Sequence, residues 1–167
     1  MSESIVIRKV AAGDETILAY IQTESWKAAF KDILAEDVLT RCTNFDRAKQ
    51  MYQNLLEEKK GNGYILEINS KGQCIAWWDA SREADMTDYA ELICIHSLQD
   101  NWGKGYGSKM MDKVLEDITA AGYTKTMLWV FEENERARIF YEAKGFVKSD
   151  KSKVSLNAVE VMYVKEL

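Results

Sequence analysis

The stretch Asn101-Trp102-Gly103-Lys104-Gly105-Tyr106-Gly107-Ser108 carries three glycines at alternate positions. An apolar run, Leu92 to Leu98, precedes it, and a helical pattern, Met110 to Ile118, follows it. A strand, a glycine loop and a helix N-terminus in that order make an anion site. Glycine lets the backbone approach a ligand closely. Free N–H groups and the positive end of the helix then face that ligand. Phosphate is the anion this arrangement suits best. Two phosphate motifs are excluded. A dinucleotide fold needs G-x-G-x-x-G after its first strand, whereas Gly103-x-Gly105-x-Gly107 follows four candidate strands. A P-loop needs a closing Gly-Lys-Ser/Thr, which is missing. Taken alone, the three glycines also fit a tight strand-to-helix turn with no ligand.

Upstream, Ile5 to Val10 is a β-branched run that predicts a first strand. Asp14 is placed to cap a helix through Ile17, Leu18, Ile21 and Ala28, with Trp26 and Phe30 near its end. A linker around Lys31 to Leu34 leads to a second helix. There Ala48, Met51, Tyr52 and Leu55 recur at i, i+3, i+4 and i+7, and Gly61-Asn62-Gly63 is expected to stop it. Two strands follow, Tyr64 to Ile68 and Cys74 to Ala80, joined by the turn Asn69 to Gly72. After a polar loop, Ala90 to Leu98 is nearly continuous in apolar character and predicts a central strand.

Downstream of the glycines, Met111, Val114, Leu115 and Ile118 mark one buried helix face, closed by Gly122. Thr126 to Phe131 predicts a strand. A short helix from Glu135 to Ala143 has Asn134 as its N-cap and Gly145 as its left-handed terminator. Phe146 to Ser149 begins one more strand, and Val159 to Lys165 is the last. No repeat or linker divides the chain, so residues 1–167 read as a single mixed α/β domain.

Composition narrows the function. The chain is 47% hydrophobic and 29% charged, as globular domains are. A net charge of −5 argues against a general nucleic-acid binder and is compatible with a cationic substrate. Cys42, Cys74 and Cys94 are odd in number and widely spaced, which predicts neither a metal site nor a disulfide framework. Met1-Ser2-Glu3-Ser4 opens no signal peptide, and no apolar run approaches the ~20 residues of a membrane span. A reduced, cytoplasmic setting is the expectation.

The second informative block is Asn134-Glu135-Arg136-Ala137-Arg138-Ile139-Phe140-Tyr141-Glu142-Ala143-Lys144-Gly145-Phe146. With it, the chain resembles the GNAT family, the Gcn5-related N-acetyltransferases. That family's acetyl-CoA loop has the form Gln/Arg-x-x-Gly-x-Gly/Ala. Trp102 to Gly107 matches it except at the first position, where Trp102 stands. The family's second signature, Asn, Ala, Phe-Tyr and Gly-Phe, is matched by Asn134, Ala137, Phe140-Tyr141 and Gly145-Phe146.

The resemblance implies a central mixed, mostly antiparallel sheet of about seven strands, flanked by helices and splayed at the acetyl-CoA site. It implies acetyl-CoA as co-substrate, with its diphosphate on the amides from Trp102 to Ser108 (Gly103, Lys104, Gly105, Tyr106 and Gly107 between them). Lys104 is a candidate phosphate contact. By position, Ile95, His96 and Ser97 carry over as the strand that bonds the pantetheine arm, with the Ile95 N–H polarising the thioester carbonyl. Tyr141 carries over as the acid that protonates the leaving thiolate. Asn134 is a candidate pantetheine contact as well as a cap.

Some histone-acetylating members carry a catalytic glutamate where Glu91 stands, and Glu91 is the candidate base. His96, the single histidine, points to the opposite strand face from Glu91 if the alternation is regular. The apolar setting of Cys94 disfavours a covalent route. Trp26, Phe30, Tyr52, Trp77 and Trp78 are the candidate liners of the acceptor pocket. The reading is an N-acetyltransferase in which a primary amine attacks the thioester directly, with no metal. The acceptor is a small-molecule amine, with a peptide N-terminus or lysine as the rival. Neither nucleic acid nor membrane is an expected partner. Dimers are frequent in the family, so a homodimer is the expected state. The alternative is a non-catalytic acyl-CoA-binding or sensing module.

Overall fold

A computed structural model describes residues 2–167. Met1, the first residue of the N-terminal stretch read above, lies outside them. The chain runs β1 (Ile5–Lys9), α1 (Glu15–Phe30), α2 (Glu36–Cys42), α3 (Phe45–Glu58), β2 (Asn62–Ile68), β3 (Lys71–Ala80), β4 (Ala90–Ser97), α4 (Tyr106–Ala120), β5 (Lys125–Phe131), α5 (Glu135–Ala143), β6 (Val147–Ser155) and β7 (Ala158–Glu166). One seven-stranded sheet has the order β1-β2-β3-β4-β5-β7-β6. Every pairing is antiparallel except β4 with β5.

Both faces of the sheet are covered, and the strand period of two divides the core accordingly. Tyr64, Leu66, Cys74, Ala76 and Trp78 pack with Met110, Met111, Val114 and Ile118 of α4. The alternate residues Ile65, Ile75 and Trp77 pack with Leu18 and Ile21 of α1 and Tyr52 of α3. β4 lies fourth of seven, so its apolar run is central, as expected.

Four local expectations change. α2 lies between the linker at Lys31 to Leu34 and the helix expected after it, in a stretch to which no element was assigned; at seven residues it is too short to display a helical period. Asp14 stands at the N-cap of α1, but its side chain makes no cap bond. Arg8 takes both of its oxygens at 2.8 and 2.9 Å, and the Ala11 N–H takes one of them at 2.7 Å. α3 ends before Gly61-Asn62-Gly63, on a left-handed Lys59 with φ of 52°. Gly61 and Gly63 instead leave room for Trp77: a Cβ at either would stand 2.3 Å from that indole. The β2–β3 turn is tighter than Asn69 to Gly72, because Asn69 and Ser70 both adopt positive φ and form a two-residue turn.

β4 and β5 decide the position of the site. Their parallel pairing is confined to Ala90 with Thr126 and Glu91 with Met127. Beyond those two pairs the strands part, and the β5-side edge of β4 is left without a strand partner. Parallel strands that diverge this early open a cleft in the middle of the sheet.

Candidate active site

The cleft continues into a cavity of about 1030 Å³ that runs from the glycine loop to the end of α1. At one end stand Gly103, Gly105, Tyr106, Gly107 and Ser108, with Asn134, Arg136 and Tyr141 from the α5 region. At the other stand Trp26, Phe30, Arg82, Phe131 and Glu160.

The glycine loop is shaped for conformation rather than for packing. Gly103 and Gly105 have φ of +79° and +85°, and a Cβ on either would meet nothing within 4 Å. Left-handed backbone of this kind favours glycine. The first bond of α4 runs from the Lys109 N–H to the Gly105 carbonyl. The N–H groups of Tyr106, Gly107 and Ser108 precede it and have no helical partner. The amide set is narrower than the loop. Trp102 N–H already donates to Gln99 and Lys104 N–H to Asn101. Lys104 is exposed and is not part of the cavity wall.

Ile95, His96 and Ser97 all line the cavity from β4. The Ser97 hydroxyl is buried without a hydrogen-bond partner among the described residues, which leaves a polar atom for a ligand to satisfy. Unpaired strand edge, unpartnered hydroxyl and free helix amides together fit an elongated phosphate-bearing ligand with amide groups, as coenzyme A is.

Tyr141 lines the same cavity at 8% exposure. Its ring packs on Phe140, Phe146 and Tyr163. Burial raises its pKa well above the usual phenol value, and no side-chain hydrogen bond engages its hydroxyl among the described residues. The group is therefore protonated at neutral pH with its proton uncommitted. Asn134 caps α5, accepting from the Ala137 N–H at 3.3 Å, and also faces the cavity.

The β4 alternation is not regular. Opposite β3, Trp77 pairs with Cys94 but Trp78 pairs with Leu92, so Ile93 is an extra, unpaired residue. Cross-strand partners share a face. Glu91, Cys94 and His96 oppose Asp79, Trp77 and Ile75, and so share the α1 side of the sheet. The expectation that His96 and Glu91 point to opposite faces is thereby corrected; the bulge at Ile93 reverses the parity between them.

Glu91 is 1% exposed and has no place on the cavity wall. Its carboxylate accepts from Arg82 three times, from Nη2 at 2.6 Å, from Nε at 3.2 Å and from the backbone N–H at 3.1 Å. Arg82 does reach the cavity, as do Asp79 and Glu160. Burial raises the Glu160 carboxyl, against the pull of Lys153 at 3.8 Å. His96 accepts from the Trp26 indole through Nε2 at 3.2 Å, a bond that requires this nitrogen unprotonated. Burial pushes its pKa down to about 4. Cys94 lines the cavity as a thiol, because burial pushes its pKa up to about 12.

Trp26, Phe30, Tyr52 and Trp77 line the cavity, and Trp78 does not. Trp78 follows Trp77 on one strand, so it points to the α4 side, where it donates to the Tyr64 hydroxyl at 3.0 Å. Arg82, Asp79 and Glu160 carried no motif in the sequence. Among the described residues, no His/Cys/Asp/Glu cluster is placed to hold a metal, and no helix is long and apolar enough to cross a membrane.

Comparison with known proteins places this geometry in a family. The model of the Acetyltransferase (GNAT) family matches residues 24–146. The chain belongs to the GNAT acetyltransferases, enzymes that acetylate amines. No curated protein matches the sequence. The fold is similar to PaiA N-acetyltransferase from Thermoplasma acidophilum in complex with coenzyme A, with a TM-score of 0.85, 19% identity and coverage of 98% of this chain and 99% of that one. It is also similar to ribosomal-protein-alanine N-acetyltransferase from Brucella melitensis, with a TM-score of 0.76, 13% identity and coverage of 97% and 99%. An N-acetyltransferase from Staphylococcus aureus Mu50 gives 0.71, 14% and 98% of each chain.

Proposed function

We propose that this protein transfers an acetyl group from acetyl-CoA to a primary amine by direct attack, with Tyr141 as the general acid. The observation that carries the reading is the convergence on one cavity of free α4 amides, the unpaired edge of β4 and the uncommitted Tyr141 hydroxyl. Tyr106, Gly107 and Ser108 would hold the donor's diphosphate. The β4 edge from Ile95 to Ser97 would take the pantetheine amides. The Ile95 N–H is our candidate for the thioester carbonyl. Bound there, acetyl-CoA supplies an activated acetyl group. Tyr141 gives its proton to the departing sulfur, and its high pKa keeps it charged with that proton throughout the neutral range.

The amine must arrive neutral. Glu91 is committed to Arg82, and we assign it the work of holding that guanidinium in the acceptor wall. The amine's proton then passes to a carboxylate on the cavity, for which Glu160 is our candidate, directly or through water. Its raised pKa suits it to proton uptake. The protonated thiol of Cys94 disfavours an acyl-enzyme route, because the thiolate is the nucleophile in that chemistry.

Replacing Tyr141 by Phe tests the assignment. Thiol release from acetyl-CoA in the presence of a turned-over amine falls at least ~10-fold, the low side of general-acid contributions, while coenzyme A affinity stays within twofold. An unchanged kcat removes Tyr141 from the chemistry. A second reading, a non-catalytic acyl-CoA-binding module, draws on Glu91: the carboxylate where some members carry a catalytic glutamate is engaged by Arg82 and off the cavity wall.

A further inference from the structure

The departure at the first loop position has a structural partner. The guanidinium carbon of Arg136 lies 3.5 Å from the centroid of the Trp102 ring, stacked on its face. The indole is itself fixed, since its Nε1 donates to the Ser97 carbonyl at 2.9 Å. Strand β4, the glycine loop and α5 are thus tied together at the mouth of the proposed donor site, and both side chains line the cavity.

Arg136 sits at a helix N-terminus whose first turn also carries Glu135. Arg136 is the second residue of α5, in the first turn, where the helix dipole disfavours a cation. Among the described residues no carboxylate forms an ion pair with it, although the chain carries 27 acidic residues. The free amides of Tyr106, Gly107 and Ser108 line the same cavity. The free N-terminal amides of α4 and the guanidinium of Arg136, which no carboxylate among the described residues pairs, therefore line one cavity. A ligand anion satisfies both at once. Guanidinium presents a planar fork that matches phosphate oxygens, and stacking on an indole pre-orients that fork.

We infer that Arg136, held flat on Trp102, binds a phosphate of the donor nucleotide, with Trp102 as its positioning residue. The inference rests on the reading of this cavity as the coenzyme A site. It gives the aromatic residue at the first loop position a use: a platform for a cation delivered from α5.

Calorimetry with coenzyme A tests the pair. Arg136→Ala weakens binding by about 10- to 100-fold, the range expected for a charge-assisted contact, and lowers the slope of log affinity against log salt. Arg136→Lys restores part of the loss. Trp102→Leu weakens binding in the same direction, and the double variant is no weaker than Arg136→Ala, because Trp102 acts through Arg136. Dephospho-CoA, which lacks the 3′-phosphate, separates the two phosphate sources. If wild type and Arg136→Ala bind it equally, the contact is to the 3′-phosphate; if the ratio seen with coenzyme A persists, the contact is to the diphosphate. Coenzyme A affinity within twofold of wild type in Arg136→Ala, with an unchanged melting temperature, overturns the inference. Failure of the wild-type protein to bind coenzyme A strikes the donor-site reading instead.

Discussion

At the α4 end of the cavity most of the groups that face a ligand belong to the main chain: three helix amides, a left-handed glycine turn and the open edge of β4. At the α1 end they are side chains, Trp26, Phe30, Arg82, Phe131 and Glu160, drawn from α1, the loop after β3, β5 and β7. Backbone geometry depends on glycine placement and caps, which leave a sequence signature. A pocket made of side chains from four separate elements leaves none. The donor end is therefore the legible half of the site, and the acceptor end carries the individuality of the protein.

The largest expected effect breaks the donor end alone. Gly105→Glu forces a side chain onto φ of +85° and sets a carboxylate beside the free amides. Coenzyme A affinity falls by at least ~100-fold, since the same dipole that favours an anion now holds a protein one. Retained affinity by calorimetry means the diphosphate lies elsewhere.

A smaller effect probes the α1 side of the sheet. His96 is neutral in the fold, with a pKa near 4 against an ordinary value of 6.5. Stability from this group is complete above pH 6.5 and is lost as pH falls from 6.5 towards 4, when the unfolded chain takes up a proton that the folded one refuses. The loss is on the order of 2–3 kcal/mol. Denaturant titrations at pH 7 and pH 4.5 measure it, and His96→Gln removes most of the difference. A wild-type slope that survives in His96→Gln assigns the pH dependence to other groups.

The glycine loop and the block from Asn134 to Phe146 were legible because each encodes a local conformation. Asn134 caps α5, and Gly145, at φ of +91°, ends it, both as read from spacing. The bulge at Ile93 was not legible, because an isoleucine within an apolar run looks the same paired or unpaired. That one residue moved Glu91 and His96 onto a common face. The hold of Arg82 on Glu91 joins residues nine apart across an irregular loop, where no period predicts contact. Arg136 stood inside the recognised block, yet its partner lies 34 positions earlier and shows only in three dimensions.

On the proposed function, both ends of the cavity serve one reaction. Wild-type protein, acetyl-CoA and a panel of primary amines, spanning small diamines, aminosugars and peptide N-termini, are followed by free-thiol release. Amine-dependent release is expected with at least one class, above the rate without amine. Coenzyme A binding with no amine-dependent release from any member would contradict that function and leave the chain a non-catalytic acyl-CoA-binding module.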